Sequence, residues 1–135
     1  MTGSIINCKF SFSKKERLYS RQQIEELFAN GKRISSGKIR LVYRITAESN
    51  QANAQVLISV PKKSFKKAVH RNLLKRRIRE AYRLNKMNLI EYLNRMDVHI
   101  VFALLYTCPE IHEYKVIQAD VVELLNKLTQ KLSSK

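Results

Sequence analysis

From Val98 to Tyr106 the chain reads Val-His-Ile-Val-Phe-Ala-Leu-Leu-Tyr, a near-continuous apolar run that Pro109 brings to a stop. A strand with one wet face alternates apolar and polar side chains, whereas a run without alternation is the pattern of a strand buried on both faces. Such a strand needs other elements packed around it. The 135 residues support one domain, expected to span 1–135 with residues 1–12 as a candidate flexible arm, and 44% hydrophobic residues are enough for a core.

The remaining elements follow from period and punctuation. Asn7 to Arg21 is polar and basic, with Phe10 and Phe12, and reads as an extended arm or edge strand. A helix should start at Ser20, because Ser followed three residues later by Gln23 is a capping-box pattern. Ile24, Leu27 and Phe28 then recur on one helical face, and Gly31 sits where a C-terminal cap belongs. Ile39 to Thr46 alternates and is rich in β-branched and aromatic residues, as a half-buried strand should be. Val56 to Val60, ended by Pro61, is a second strand, and the two suggest an antiparallel pair. Val69 to Asn85 is the clearest helix, and Ile117, Val121, Leu124 and Leu128 mark an amphipathic C-terminal helix. The order predicts an α+β or α/β sandwich with helices packed on one sheet.

Lys and Arg number 26 against 11 acidic residues, a formal net charge of +15. Eleven of those cations and a single acid, Glu80, lie between Lys62 and Lys86, so this stretch alone carries +10. A charge excess that large calls for an anionic partner, most often nucleic acid. At 100° per residue, Arg71, Asn72, Lys75, Arg76, Arg79 and Arg83 fall within an arc of roughly 140°, with Leu74, Ile78 and Ala81 on another. The helix has a core side and a cationic side. Like charges at four-residue spacing destabilise a helix by a few tenths of a kcal/mol each, and the acids that would relieve them are missing. The guanidinium fork bridges two phosphate oxygens, Lys adds mobile point charges, and the Asn72 amide can bond a 2′-hydroxyl or a base edge. A membrane-surface helix is the main competitor. It is disfavoured because Arg77 interrupts the apolar arc, which also lacks Trp and Phe.

The string Lys66-Lys67-Ala68-Val69-His70-Arg71-Asn72-Leu73-Leu74-Lys75-Arg76-Arg77-Ile78-Arg79-Glu80-Ala81-Tyr82-Arg83 resembles the signature of the bacterial ribonuclease P protein component. That pattern is Ala-Val, one residue, Arg-Asn, two residues, Lys-Arg, two residues, Arg-Glu, and it is matched without a gap. Lys14-Lys15-Glu16-Arg17-Leu18, the helix ending in Leu27-Phe28 and Gly31, and Leu57-Ile58-Ser59-Val60-Pro61-Lys62-Lys63 are similar in the family's order, over roughly Phe12 to Tyr106. The resemblance implies a single-domain αβ sandwich of ribosomal-protein-like fold. Its central sheet would be mostly antiparallel and would carry a left-handed βαβ crossover, against the general right-handed preference. It implies a protein subunit of an endoribonuclease that assists a catalytic RNA in removing the 5′ leader of precursor tRNA. Carried over by position, Arg71, Asn72, Lys75, Arg76, Arg79 and Arg83 become the catalytic-RNA contacts, with Lys62, Lys63, Lys66 and Lys67 as further basic contacts. Phe28 and Tyr43 stand where the family places aromatics in a leader-binding cleft. Ile24 departs from it, being aliphatic at a further aromatic position.

No protein-borne chemistry is expected. His70, His99 and His112 lie in different elements, Cys8 and Cys108 stand apart without a second ligand at metal spacing, and no Gly-rich phosphate loop or nucleophile elbow occurs. The expected partners are the catalytic RNA and precursor tRNA, with magnesium belonging to the RNA and with no metal, small-molecule ligand or membrane on the protein side. Neither a secretory signal nor an eighteen-residue apolar run is present, so a cytoplasmic address is expected. A ribosomal or general RNA-binding protein, and a nuclease in its own right, are the competing readings.

Overall fold

The computed structural model describes residues 16–18, 20–46 and 53–133. The elements are α1 (Arg21–Asn30), β1 (Lys32–Ser36), β2 (Ile39–Thr46), β3 (Ala54–Ser59), α2 (Ala68–Asn85), α3 (Met87–Met96), β4 (His99–Tyr106) and α4 (Tyr114–Ser133). The strands form one sheet in the order β1-β2-β4-β3. β1 pairs with β2 and β2 with β4 antiparallel, while β3 runs parallel to β4 and reaches it through the crossover helices α2 and α3. This is the α+β architecture expected, with one correction. β2 and β3 are not an antiparallel pair, because β4 inserts between them and hydrogen-bonds to both.

β4 goes to the centre because it alone has no polar side to turn to water. Its inner residues are buried on both faces of the sheet. Ile100, Phe102, Leu104 and Tyr106 join the larger core with α2, α3 and α4, while Val101 and Ala103 join a smaller one with Leu18, Leu27 and Val42 beneath α1. The sheet is thus covered on both faces, by three helices and by one. Burying each such Leu, Ile or Phe side chain stabilises by roughly 1.5–3 kcal/mol, and truncating one of them, as in Phe102→Ala, would cost about 3–5 kcal/mol. Tyr82 of α2 sets its ring edge-on against Phe102, 5.6 Å between centroids, which ties the basic helix to the central strand.

The ends of the elements have local causes. The Ser20 hydroxyl accepts the Gln23 N–H at 3.3 Å, the N-terminal half of the expected capping box. Gly31 donates its N–H to Leu27 O at 2.8 Å, yet its backbone is extended, so it is not a left-handed cap. Space explains the glycine: a Cβ there would meet the Leu27 carbonyl and Val42 Cγ1. At the β1–β2 turn Gly37 does adopt a left-handed φ of 53°, a conformation that favours glycine. Lys38 next to it donates its N–H to Asp120 of α4 at 3.1 Å.

At the other edge, Arg17 forms a parallel bridge with Val56, and Leu18 N–H reaches Val56 O at 3.0 Å. Glu16 from this segment pairs with Lys86, the residue between α2 and α3. The expected arm at 1–12 lies outside the described residues.

Candidate nucleic-acid interface

The basic helix is positioned at its start, along its inner side and at its end. In the turn before it, Ser64 and Phe65 both donate N–H groups to Pro61 O. Arg71 then reaches back and donates Nη1 to Phe65 O at 2.7 Å and to Lys66 O at 2.9 Å, fastening the turn to the helix. Leu74, Ile78, Ala81 and Tyr82 are buried on the inner side. Arg77, which interrupts the apolar arc in the sequence, lies in the protein and donates to His112 O at 2.6 Å, tying α2 to the loop before α4. Near the end, Arg83 bonds Glu80 at 2.5 Å. That hydrogen bond holds the Glu80 carboxyl below its ordinary range and Arg83 above its own.

Of the six expected contacts, Asn72, Lys75, Arg76 and Arg79 are brought together around one concavity of about 550 Å³ on the outer face. Arg71 and Arg83 flank it but have guanidinium groups already engaged with protein oxygens. Two further residues complete the lining, Val69 and Leu73, which charge-based reasoning passed over. The sequence carries the signal, since the two stand at four-residue spacing on the arc that adjoins the cationic one. Lys62, Lys63, Lys66 and Lys67 are exposed on the turn that leads into α2, so they extend the positive surface beyond its N-terminus. No acidic residue stands in the first turn, and the partial positive charge of the helix N-terminus adds to theirs.

The opposite face of the sheet carries α1. Ile24 and Phe28 lie one turn apart on it, Ile24 packed against the smaller core and Phe28 38% exposed. Tyr43 is not with them. It is 3% exposed and faces the larger core with Ile39 and Leu41, on the side of α2 and α4. The buried residue of β2 that faces α1 is Val42. Alternation along Ile39–Thr46 carried this information, because neighbours on a strand point to opposite faces. On the α1 side the partly buried apolar residues are Ile24, Leu57 and Leu105. The register pairs Arg33 with Val42 and Arg40 with Leu105, which places these two exposed arginines on the same face. Arg44 closes the rim with an ion pair to Glu26 at 3.1 Å.

Among the described residues, no three His, Cys, Asp or Glu side chains stand close enough to hold a metal ion together. The Cys108 thiol lies 3.4 Å from His112 Nε2, and the imidazole of His99 is in another part of the fold. No helix among the described residues is long and apolar enough to cross a membrane.

Three comparisons bear on identity. The Ribonuclease P family model matches residues 12–129. The ribonuclease P protein component of Porphyromonas gingivalis is 35% identical over 125 residues, covering 93% of this chain and 91% of that protein. That of Chlorobium phaeobacteroides is 36% identical over 114 residues, covering 78% and 76%. Among solved structures, the RNase P protein of Staphylococcus aureus superposes with a TM-score of 0.66 at 19% identity, over 84% of this chain and 94% of that one. The RNase P protein from Thermotoga maritima gives 0.64 at 22%, over 83% and 96%. At those identities the structures speak for the fold, and the sequence matches speak for the family. Fold, signature and sequence agree, and the chain belongs to the bacterial ribonuclease P protein component family.

Proposed function

We propose that this chain acts as one RNA-binding domain within the ribonuclease P holoenzyme. It binds the catalytic RNA through the outer face of α2 and supports the 5′ leader of precursor tRNA on the α1 side of the sheet, assisting endonucleolytic removal of the leader in the cytoplasm. The bond-breaking chemistry, and the magnesium it uses, belong to the RNA. The observation that carries this reading is the grouping of Asn72, Lys75, Arg76 and Arg79 around one concavity, on a helix whose other side is fixed in the core.

A preorganised row of cations loses little side-chain and helix freedom on meeting phosphate, and each neutralised phosphate releases bound counterions. The protein thereby lowers the self-repulsion of an RNA that must hold another RNA. On the leader side, Phe28 offers a ring face for a base, Ile24 offers aliphatic contact only, and Arg33 and Arg40 supply positive charge beside them. Tyr43 has no part in this surface, being buried on the other face.

The test is cleavage of precursor tRNA by protein alone, by catalytic RNA alone and by both, at low magnesium. Cleavage only where RNA is present, enhanced by protein, is the expected outcome. Cleavage by protein alone would make the chain a nuclease in its own right, and no gain from the protein would make it a general RNA binder. With about six phosphates contacted, affinity for the catalytic RNA should fall by roughly three orders of magnitude between 50 and 200 mM salt.

A further inference from the structure

We infer that the outer face of α2 holds one unstacked nucleotide of its RNA partner, the base against Val69 and Leu73 and the phosphate at Arg76 and Arg79. This rests on the reading of α2 as an RNA-binding helix and adds what kind of RNA element it takes.

The concavity is two-sided. Val69, Leu73 and Arg76 follow one another at four- and three-residue spacing and fall within an arc of roughly 60°, with Asn72, Lys75 and Arg79 on the adjoining arc. One wall is therefore apolar and the other polar, with Arg76 between them. Val69 is 74% exposed, the most open of the large apolar side chains among the described residues, while Leu74 and Ile78 on the inner side are fully buried. Single exposed apolar residues are ordinary. A Val and a Leu stacked one turn apart inside a cationic surface are different, because phosphate binding alone gains nothing from them and they take space that more charge could fill.

A nucleotide has the same division. Its base presents a flat, weakly hydrated face and its phosphate is anionic. Within A-form duplex RNA the base faces are covered by neighbours and the major groove is too narrow for side chains to read. A base that can lie on Val69 and Leu73 must come from a bulge, a loop or a single strand. At 1.5 Å rise per residue Leu73 stands about 4–5 Å, and Val69 about 10 Å, along the axis from Arg76, within the reach of an arginine to the phosphate of the same nucleotide. The Asn72 amide, exposed on the same concavity, can donate to or accept from the base edge or the 2′-hydroxyl.

The experiment compares wild type, Val69→Ser, Val69→Leu and Arg76→Ala in complex with the catalytic RNA, by affinity across a salt series and by base-reactivity footprinting. Val69→Ser should bind about 5–10-fold more weakly at every salt concentration with an unchanged log–log slope, and one unpaired nucleotide protected by wild type should become reactive. Val69→Leu should restore both. Arg76→Ala should lower the slope by about one. Since Val69 projects into solvent, unchanged thermal melting of the free variant separates contact from folding. Equal affinity and an unchanged footprint for Val69→Ser would overturn the inference, as would protection confined to paired tracts. A flat salt response of wild type would remove the RNA-binding reading of α2 itself and this inference with it, a result distinct from either.

Discussion

Removing the carboxylate from the Glu16–Lys86 pair should be the most damaging charge-for-neutral exchange outside the RNA-facing surface. The Lys86 side chain is only 4% exposed and Glu16 13%. The ammonium lies 5.9 Å from the centre of the Tyr82 ring, and burial together with the Glu16 charge holds the Tyr82 hydroxyl above the ordinary phenol range. Breaking a buried pair by removing one partner costs about 3–5 kcal/mol, while replacing both by apolar groups of similar volume is often neutral. The two single changes are not equivalent. Lys86→Met leaves a carboxylate on a segment held by the short β3 bridge, which can turn toward water, and should fall at or below the lower end of that range. Glu16→Gln leaves an ammonium fixed between two helices and should approach the upper end. For a domain of this size, 4 kcal/mol corresponds to a fall in Tm of roughly 10–20 °C. Urea unfolding and thermal melting of Glu16→Leu, Lys86→Met and the double variant Glu16→Leu/Lys86→Met form a double-mutant cycle, with Glu16→Gln as the near-isosteric single change. The double variant should recover to within about 1 kcal/mol of wild type. A Glu16→Gln loss under 1 kcal/mol, or a double variant as unstable as the sum of the singles, would refute the account of this pair.

Tyr43→Ala should cost about 3–5 kcal/mol in chemical unfolding, as for other large buried aromatics, while Phe28→Ala should leave stability nearly unchanged and weaken only leader-dependent affinity for precursor tRNA. The reverse order would move the substrate surface to the other side of the sheet. Gly37→Ala should lose about 1–3 kcal/mol by urea titration, because the position is left-handed and a Cβ would fall on the Asp120 carboxylate that accepts the Lys38 N–H. Burial pushes the Tyr106 hydroxyl up from 10.0 to about 12, so folding disfavours its ionised form. The stability this gives is intact below pH 10 and lost as pH rises from 10 to 12, which absorbance of tyrosinate against unfolding should show. At the acid end the sign reverses for Glu80, whose carboxyl is held down by Arg83, so its contribution is present above the ordinary glutamate value of 4.5 and is lost as pH falls below it.

Much of the architecture can be read from local pattern. The Ser20–Gln23 spacing marks the start of α1, and the unbroken apolar run marks β4 as central. The division of α2 into a buried and a cationic side is plain once residues are set at 100° intervals. Other parts leave little trace. β1 is a five-residue edge strand whose only large apolar residue is Ile34, too short to show a period. α3 follows α2 with only Lys86 between, and that residue keeps a helix-like φ of −81° and ψ of −12°. Neither Gly nor Pro announces the break, so local pattern does not separate α3 from α2. The partner of β2 is decided by burial across the chain, since β4 satisfies two strands at once and neither neighbour could replace it. Tyr43 shows how narrow the margin is on a strand, where a shift of one residue moves a side chain from the α1 face of the sheet into the larger core.

The strand order also governs when the protein can fold. β4 is the last strand made, yet it lies between β2 and β3, so no part of the sheet beyond the β1–β2 hairpin can close until residue 106 has been synthesised. α4, which completes the core under α2, comes later still. Pairings this distant in sequence are slow to form, and unpaired strand edges stay open while they wait. Nascent chains arrested at successive lengths should gain protease resistance only after β4 and α4 have left the ribosome, and resistance at residue 96 would contradict this. During that interval the basic helix is already made but has no core to lie on. A growing chain thus offers a strongly cationic, unsupported segment to the ribosomal RNA around it, and completing the fold withdraws the inner side and leaves one defined face for the RNA it serves.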